Sequence, residues 1–337
     1  MEKFVAFESF KSNGGEGVNV SWLGGEVTAL SVTLLEQYRA IIKKHLPKAK
    51  NIIITNLYSL SSRHVKFIKE TFETIETTYA EGFKRSLTGS EKEYKCNFIK
   101  NMKKLKDAGL DTFVNVELND ATYAKDPKWL LDIARETGQL NWEFDLSVRF
   151  DTVFEVLSQG GNPLNEQSYP SHPPLTISYH QWSEYVKRYL TEYADECKEL
   201  GVKIGFFSAA VEKNHDAFFS TTNSSHIFSL TPNGSVFGTP IYTGIAPLSY
   251  GHLDQNTEEE IVSAPLRLNH VYYENVIRME NAICHTCRFF NECKGGFSSV
   301  PVEDGSGECA GMYSLRSYLE DEYIPNMKKD VTNWQLV

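Results

Sequence analysis

Four of the six cysteines in this chain of 337 residues lie close together near its carboxyl end. Their spacing is Cys284-x2-Cys287-x5-Cys293-x15-Cys309. A Cys-x2-Cys pair can place two thiolates on one turn, and two further cysteines complete a tetrahedral ligand set. Sets made only of thiolates bind zinc or iron–sulfur clusters, and the spacing alone does not separate these two. On the chemistry alone zinc is favoured, because closed four-cysteine zinc sites are common.

The other two cysteines, Cys96 and Cys197, each stand alone on a predicted helix. A single cysteine of this kind is typically a small buried or half-buried apolar residue. We therefore do not expect either of them to bind the metal.

The overall composition limits the class of protein. The chain has 44 acidic and 34 basic residues, a formal charge of −10, whereas a nucleic-acid-binding domain usually has a basic surface. No apolar run is long enough for a transmembrane helix, and the first residues lack a signal-peptide pattern. We expect a cytoplasmic protein without nucleic-acid or membrane partners, in which a disulfide framework is not expected.

Strand and helix patterns alternate through the first part of the chain. Strands are predicted at 18–23, 51–55, 74–79, 111–118, 142–148 and 202–208, and helices at 1–13, about 62–72, 92–108, 127–136 and about 180–200. This alternation predicts a parallel sheet, open or curled into a barrel. The chain begins on a helix, whereas each helix of a parallel βα fold returns from a preceding strand, so we expect a first strand to be missing.

The pattern changes near residue 223. Residues 226–242 predict a β-hairpin that turns at Pro232-Asn233-Gly234. The cysteine segment follows, and then a helix at about 311–322. We therefore expect a barrel domain over 1–222, a smaller domain over 223–322 and a C-terminal tail over 323–337.

Five features of the chain, taken in order, resemble radical S-adenosylmethionine (SAM) enzymes with a C-terminal SPASM or twitch domain. They are VSWLGGEVTAL, NIIITNLYSL, SLTPNGSVFGTP, the spacing of the four cysteines and Lys294-Gly295-Gly296. The resemblance spans nearly the whole chain. It implies an α/β fold, a partial (β/α) TIM-like barrel followed by a small α+β cluster-binding domain. It also implies that the four cysteines bind a [4Fe–4S] cluster and not zinc.

Departures from the family pattern limit the number of clusters. SPASM domains with two auxiliary clusters have further cysteines where this chain has Thr239 and Phe297. The absent cysteines belong to one cluster of that family, and the four present correspond to the full ligand set of the other. The resemblance therefore implies one auxiliary [4Fe–4S] cluster.

A second departure concerns the catalytic cluster. The family binds it through Cys-x3-Cys-x2-Cys after the first strand, but this chain has no cysteine before Cys96. Two expectations follow. Either the chain starts late, from a truncated gene model or a fragment that has lost this segment, or the protein is a pseudoenzyme without SAM chemistry.

The resemblance also implies residues that contact SAM. Gly24, Gly25 and Glu26 match the family turn that meets its amino group. Glycines allow close backbone approach and a carboxylate or carbonyl accepts from an ammonium group, although an ordinary strand-to-helix turn has the same residue types. Thr78 and Arg85 stand near the positions that contact the SAM ribose and carboxylate, but TTYAEGFKR departs from the usual Ser-x-Asp-Gly pattern.

As a member of this family the protein is expected to modify a peptide or small protein by radical chemistry, with SAM as cofactor and an electron donor. Two alternatives stay open. One is a catalytically degenerate scaffold of the same fold that binds a peptide or a partner enzyme. The other is a barrel enzyme with a structural four-cysteine zinc knuckle.

Overall fold

The computed structural model describes residues 1–80, 82, 89–147, 175–207, 226–273, 276, 280–296 and 300–329. The strands of these residues are β1 (Asn19–Trp22), β2 (Lys50–Thr55), β3 (Thr74–Tyr79), β4 (Phe113–Leu118), β5 (Asn141–Leu146), β6 (Lys203–Ile204), β7 (Ser229–Leu230), β8 (Ser235–Phe237) and β9 (Gly251–His252).

The helices of the first part are α1 (Glu2–Val5), α2 (Glu8–Lys11), α3 (Val32–His45), α4 (Ser62–Thr71), α5 (Glu91–Asp107), α6 (Asp120–Tyr123), α7 (Lys128–Thr137), α8 (Tyr179–Thr191) and α9 (Ala194–Leu200). The helices nearer the carboxyl end of the chain are α10 (Glu258–Val262), α11 (Pro265–Tyr272), α12 (Ala282–His285), α13 (Phe290–Cys293), α14 (Tyr313–Tyr318) and α15 (Ile324–Lys329). Short 3-10 turns lie at Ser12–Gly14, Val27–Ala29, Pro240–Tyr242 and Ala246–Leu248, and Leu319–Tyr323 is π-helical.

The main sheet has its six strands in sequence order, β1-β2-β3-β4-β5-β6. Strands β1 to β4 pair in parallel, with Trp22 opposite Ile53 and Tyr79 opposite Val116. Sequential parallel strands with intervening helices are the arrangement of a (β/α) barrel. In the described part of the chain β1 and β6 remain edges, so the sheet is not closed. The predicted parallel sheet and partial barrel are confirmed.

The two faces of this sheet differ because side chains alternate along a strand. In β3, Ile75, Thr77 and Tyr79 are buried, whereas Glu76 and Thr78 are half-buried. Trp22 of β1 packs edge-on against Phe67 and Phe72, at ring distances of 6.2 and 5.3 Å. The buried face therefore packs against helices, and the opposite face is polar and half-buried.

Three elements are shorter than predicted or are interrupted. The predicted helix over 1–13 is two short helices, because Phe7 between them is extended at φ −58°, ψ 134°. The predicted helix over 180–200 ends at Thr191 and resumes at Ala194. The predicted strand at 202–208 is only two residues long in the described part of the chain.

The chain divides into two compact units. The first is Met1–Val116, Asp132–Asn141 and Asn223–His270, and the second is Glu117–Leu131, Trp142–Thr222 and Val271–Val337. The predicted domain limits, 1–222, 223–322 and 323–337, stay a prediction. Among the described residues, no helix has the length and apolar character needed to cross a membrane.

In the first unit, the N-terminal helices pack against a small antiparallel sheet, β7-β8-β9. The predicted hairpin is present, and β9 adds a third strand. Phe4, Phe7 and Phe10 form an aromatic cluster with Phe228. The Glu258 carboxylate accepts the first backbone N–H groups of α2 at 2.7 and 2.9 Å, which satisfies donors that a helix start leaves unpaired.

A buried histidine in this unit makes stability depend on pH. The Nδ1 atom of His270 lies 2.9 Å from the Tyr250 hydroxyl, and burial lowers its pKa to about 4. The folded state therefore resists protonation below the ordinary histidine pKa of about 6.5. This contribution to the free energy of unfolding is fully present above pH 6.5. It falls by about 3 kcal/mol as the pH drops from 6.5 toward 4.

Urea unfolding measured at intervals across this pH range tests the prediction. His270→Gln keeps an acceptor for the Tyr250 hydroxyl and does not titrate between pH 4 and 6.5. We expect its stability to change less over the same range. An equal acid loss in both proteins would show that other groups cause it.

Candidate functional site

The cysteine segment consists of two short helical turns and a return segment, residues 300–312, that contains one isolated β-bridge. Cys284 lies on α12, and the Cys287 N–H donates to its carbonyl at 3.1 Å. Cys293 ends α13, where its N–H donates to the Phe289 carbonyl at 2.9 Å. Cys309 lies on the return segment and bridges Glu303 in an antiparallel pair. This local structure holds the ligand-spaced cysteines on three short, separately anchored pieces of backbone.

The return segment is anchored to α8, the longest helix described in the second unit. The Tyr179 N–H donates to the Asp304 carboxylate at 2.6 Å, and the Tyr179 hydroxyl donates to the Pro301 carbonyl at 2.5 Å. The Ser183 hydroxyl donates to the Met312 sulfur at 3.5 Å. The position of Cys309 therefore depends on residues far away in the sequence.

None of the four thiols is in a disulfide, and their burial differs. Cys284 and Cys293 are buried, whereas Cys287 and Cys309 are half-buried. Burial raises the pKa of Cys309 to about 12, against which the N–H groups of Tyr313 and Gly311 act by donating to its sulfur. Donors aimed at a sulfur stabilise its thiolate, which is the form that binds metal.

Burial and backbone donors also act in opposite directions on the pKa of Cys293. Burial raises it, while the Arg316 charge and the N–H groups of Gly295 and Gly296 lower it. Arg316 is 4% exposed, and its guanidinium carbon lies 5.9 Å from the ring centres of Phe206 and Phe289. A buried cation beside this thiol favours a negatively charged thiolate group there.

Glu308 fixes the backbone on both sides of Cys309. Its buried carboxylate accepts the N–H of Cys309 at 2.8 Å and that of Ser314 at 3.0 Å, and it also accepts the Ser314 hydroxyl. The carboxylate thus connects the last cysteine to the first turn of α14. Its negative charge acts against ionisation of Cys309, so its contribution is to position this residue.

Two glycines let the turn after Cys293 meet the return segment. A Cβ atom at Gly296 would lie 2.7 to 2.9 Å from Ala310, and one at Gly311 would collide with the Cys293 sulfur. The same Gly311 Cβ position is 3.8 Å from the Cys309 sulfur. Cys293 and Cys309 therefore share one small space that a side chain at residue 311 would fill.

The chemistry of this site fits a thiolate-bound metal group. It offers four thiols that are not in disulfides, backbone N–H donors to two sulfurs and a buried positive charge. In the part of the chain that the structure describes, no three His, Cys, Asp or Glu side chains converge as a site for a single ion.

The Gly-Gly-Glu turn lies at the carboxyl end of β1, as predicted. Gly24 and Gly25 have φ of +100° and +58°, and neither would meet another atom if it carried a Cβ. Their requirement for glycine is therefore conformational. Both are exposed at the end of the sheet where ligands of parallel folds bind.

The Glu26 carboxylate connects the ends of β1 and β2. It accepts the N–H and hydroxyl of Thr28 at 2.9 and 2.6 Å, the Thr55 hydroxyl at 2.5 Å and the Asn56 N–H at 2.8 Å. These contacts fix the conformation of the turn. The backbone of Gly24 and Gly25 remains exposed.

Glu26→Ala is expected to lower stability by about 3 kcal/mol, because it leaves buried donors of Thr28 and Thr55 unpaired. Thermal and urea unfolding measure this loss. Glu36→Ala, at an exposed position of α3, is the matched control and should change stability by less than about 0.5 kcal/mol. Equal effects would contradict a bridging role for Glu26.

The structure describes only one of the other two predicted SAM contacts. Thr78 is half-buried on β3, in register with Asn115, on the polar face of the sheet. Arg85 and Phe297 lie outside the described residues. Thr239 precedes the turn Pro240–Tyr242. The roles of Gly24, Gly25, Glu26, Thr78 and Arg85 stay predictions.

The two remaining cysteines behave differently from each other. Cys197 is half-buried, as predicted, and burial raises its pKa to about 12. The prediction of a buried or half-buried Cys96 is wrong, since Cys96 is exposed on the outer side of α5. Sequence reasoning also missed Glu308, Gly311 and Arg316. The only signal was their proximity to Cys309, which does not predict a contact.

No protein-family model and no curated protein matches this sequence. Solved structures do match. The structure of native anSMEcpe with bound AdoMet and the Kp18Cys peptide has a TM-score of 0.67 at 14% identity, over 98% of this chain and 90% of its own. Polyhistidine-tagged anSMEcpe with bound AdoMet has a TM-score of 0.68 at 16% identity, over 99% of this chain and 86% of its own.

A third match is Streptococcus suis SuiB bound to precursor peptide SuiA, with a TM-score of 0.51 at 17% identity. It covers 88% of this chain, which spans only 64% of SuiB. At such low identity the likeness concerns the fold. The six-stranded sheet, the order of elements and these matches show that the chain shares the fold of these structures.

Proposed function

We propose that this protein is a radical SAM enzyme of the SPASM or twitch type that modifies a peptide or small protein. The observation that carries the proposal is the match over 98% of the chain to a structure holding both AdoMet and a peptide. A second peptide-bound structure, SuiB with SuiA, supports the same class of substrate. An electron donor belongs to the proposal, because reductive cleavage of SAM consumes an electron.

The four cysteines are proposed to hold one auxiliary [4Fe–4S] cluster. When bound, such a cluster supplies electron transfer or a Lewis-acidic iron. The four thiols outside disulfides, the backbone N–H donors to Cys293 and Cys309 and the buried Arg316 support this assignment. A single zinc ion at these cysteines is the competing assignment, and metal analysis distinguishes the two.

SAM is proposed to bind at the carboxyl end of β1, against the exposed backbone of Gly24 and Gly25. The experiment is calorimetric titration of SAM into anaerobically purified protein. Gly25→Ala should weaken binding, because the alanine Cβ stands at the ligand-facing turn. Gly17→Ala is the matched control, since Gly17 also has positive φ and open space around it. Equal SAM affinity in both variants would overturn this placement.

A second candidate is a scaffold of the same fold that binds a peptide without SAM cleavage. The observation that favours it is the absence of any cysteine before Cys96 in the 337 residues. Release of 5′-deoxyadenosine under reducing, anaerobic conditions distinguishes the two functions. Release above a no-protein control supports the enzyme, and peptide binding without any release supports the scaffold.

The buried arginine should raise the reduction potential of the bound cluster. Arg316→Met is expected to lower that potential by about 60 mV, or about 1.4 kcal/mol for one electron, because a nearby positive charge stabilises the reduced state. A redox titration followed by electron paramagnetic resonance measures it. Arg316→Lys keeps the charge and should restore most of the shift. Equal potentials in both variants would contradict an electrostatic role.

A further inference from the structure

Helix α5 carries a row of basic side chains at the protein surface, which we call the lysine row. Its members are Lys92, Lys95, Lys100 and Lys103, with Cys96 and Ile99 between them. Residues three and four positions apart lie on the same side of an α-helix. Together with Lys104, these side chains line a concave surface that also includes the acidic Asp107 and Glu136 at its border.

The opposite side of α5 fixes the direction in which this row points. Tyr94, Phe98, Met102 and Leu105 are buried in the core of the first unit. On the same buried side, the Asn101 amide donates to the Leu57 carbonyl at 2.6 Å. The lysine row therefore faces solvent on a rigid element.

The positive charge of the row is only partly neutralised. Lys103 pairs with Glu136 at 2.8 Å, and the neighbouring Lys104 donates to the Leu60 carbonyl at 2.7 Å. Lys92, Lys95 and Lys100 form no ion pair with the carboxylates that the structure describes. From Lys95 to Lys106 the helix has five lysines and no acidic residue. On a chain of formal charge −10, this is a local reversal of sign.

We propose that the lysine row binds a short, extended acidic segment of a partner protein. The row from Lys92 to Lys103 is about 17 Å long, which corresponds to about five residues of extended chain. Ile99 and Cys96 lie at its centre and can contact one apolar side chain of that segment. Opposite charges outside an apolar centre are the usual arrangement of a protein interface.

Charge complementarity favours an acidic protein segment over a nucleic acid. The row covers one helix face, and the rest of the chain is net negative, so a long polyanion would meet repulsion beyond it. A short acidic segment needs only the length of the row. Neither SAM nor a cluster takes part in this contact, so its failure would leave the proposed function untouched.

The test uses the full chain and two fluorescent probes, a short Glu/Asp peptide with one central Leu and a single-stranded oligonucleotide of equal charge. Fluorescence anisotropy at low ionic strength measures both. The triple variant Lys92→Glu, Lys95→Glu, Lys100→Glu should weaken peptide binding about tenfold. The matched control reverses three exposed lysines elsewhere, Lys43→Glu, Lys50→Glu, Lys66→Glu, and should change it less than about twofold.

Protection of Cys96 from a thiol-reactive dye by the peptide is a second readout, because this exposed thiol lies inside the row. Loss of binding in the row variant alone, with Cys96 protected in the parent protein, supports the proposal. Equal weakening in both triple variants, no measurable peptide binding, or tighter binding of the oligonucleotide than of the peptide would each overturn it.

Discussion

Cys287→Ala is expected to reduce the iron content of the anaerobically reconstituted protein from about four atoms per chain to about zero. The reason is that the four cysteines would be the full protein ligand set of this cluster, and removal of the half-buried Cys287 thiolate leaves one iron without its protein ligand and weakens binding of the whole cluster. Iron and sulfide analysis with the visible absorption spectrum measures the change. The brown colour of the parent protein should disappear in the variant.

A control variant and metal analysis of the parent protein distinguish the cluster from a zinc site. Cys96→Ala is the control, since Cys96 is an exposed thiol on a different helix and should leave the iron content unchanged. A colourless parent protein with about one zinc and no iron or sulfide would exclude the cluster and establish the zinc knuckle. Unchanged iron in Cys287→Ala would remove this residue from the ligand set.

Gly296→Ala is expected to destabilise the second unit by about 3 kcal/mol and to prevent loading of the metal site. Its φ is +77°, and the added Cβ would lie within 2.7 to 2.9 Å of Ala310, including backbone atoms. The turn after Cys293 would then be pushed away from the segment that carries Cys309. Urea unfolding and iron analysis measure the two effects separately.

The chain contains a matched control for this substitution. Gly305 has φ of +78°, and a Cβ there would meet no atom within 4 Å. Gly305→Ala therefore has the same backbone strain without the collision. It should lower the free energy of unfolding by only about 1 kcal/mol. Similar losses at both positions would show that the close approach of Gly296 and Ala310 is not needed for stability.

Local patterns predicted the main sheet well because they depend on neighbouring residues. TIETTY predicts a strand over 74–79, and β3 has these bounds. The helix predicted over 92–108 is α5, Glu91–Asp107. Alternation and helical spacing arise within a few residues of one another, so they are visible before the chain folds. The break at Glu192 and Tyr193 was not visible, because Tyr193 reaches Asp126, far away in the sequence.

In the candidate site, too, some features follow from local sequence and others depend on distant residues. The spacing of the cysteines and the Gly-Gly-Glu turn are local features, and they identified the thiols and the turn at the end of β1. The partners of Glu26 on β2 could not be predicted, because parallel pairing brings together strands that are separated by a whole helix. For the same reason Glu258 was not expected at the start of α2.

The sequence by itself determined the alternating strands and helices, the set of four thiols and the excess of negative charge. Each depends on residue type and on spacing along the chain. Only the tertiary structure decided how Gly296 and Gly311 bring Cys293 beside Cys309, and that Arg316 is buried near them. It also placed the lysines of α5 on one solvent-facing row, because burial of Phe98 and Met102 turned the other side of the helix inward. Close approach and burial are properties of packed segments, and no spacing within one segment specifies them.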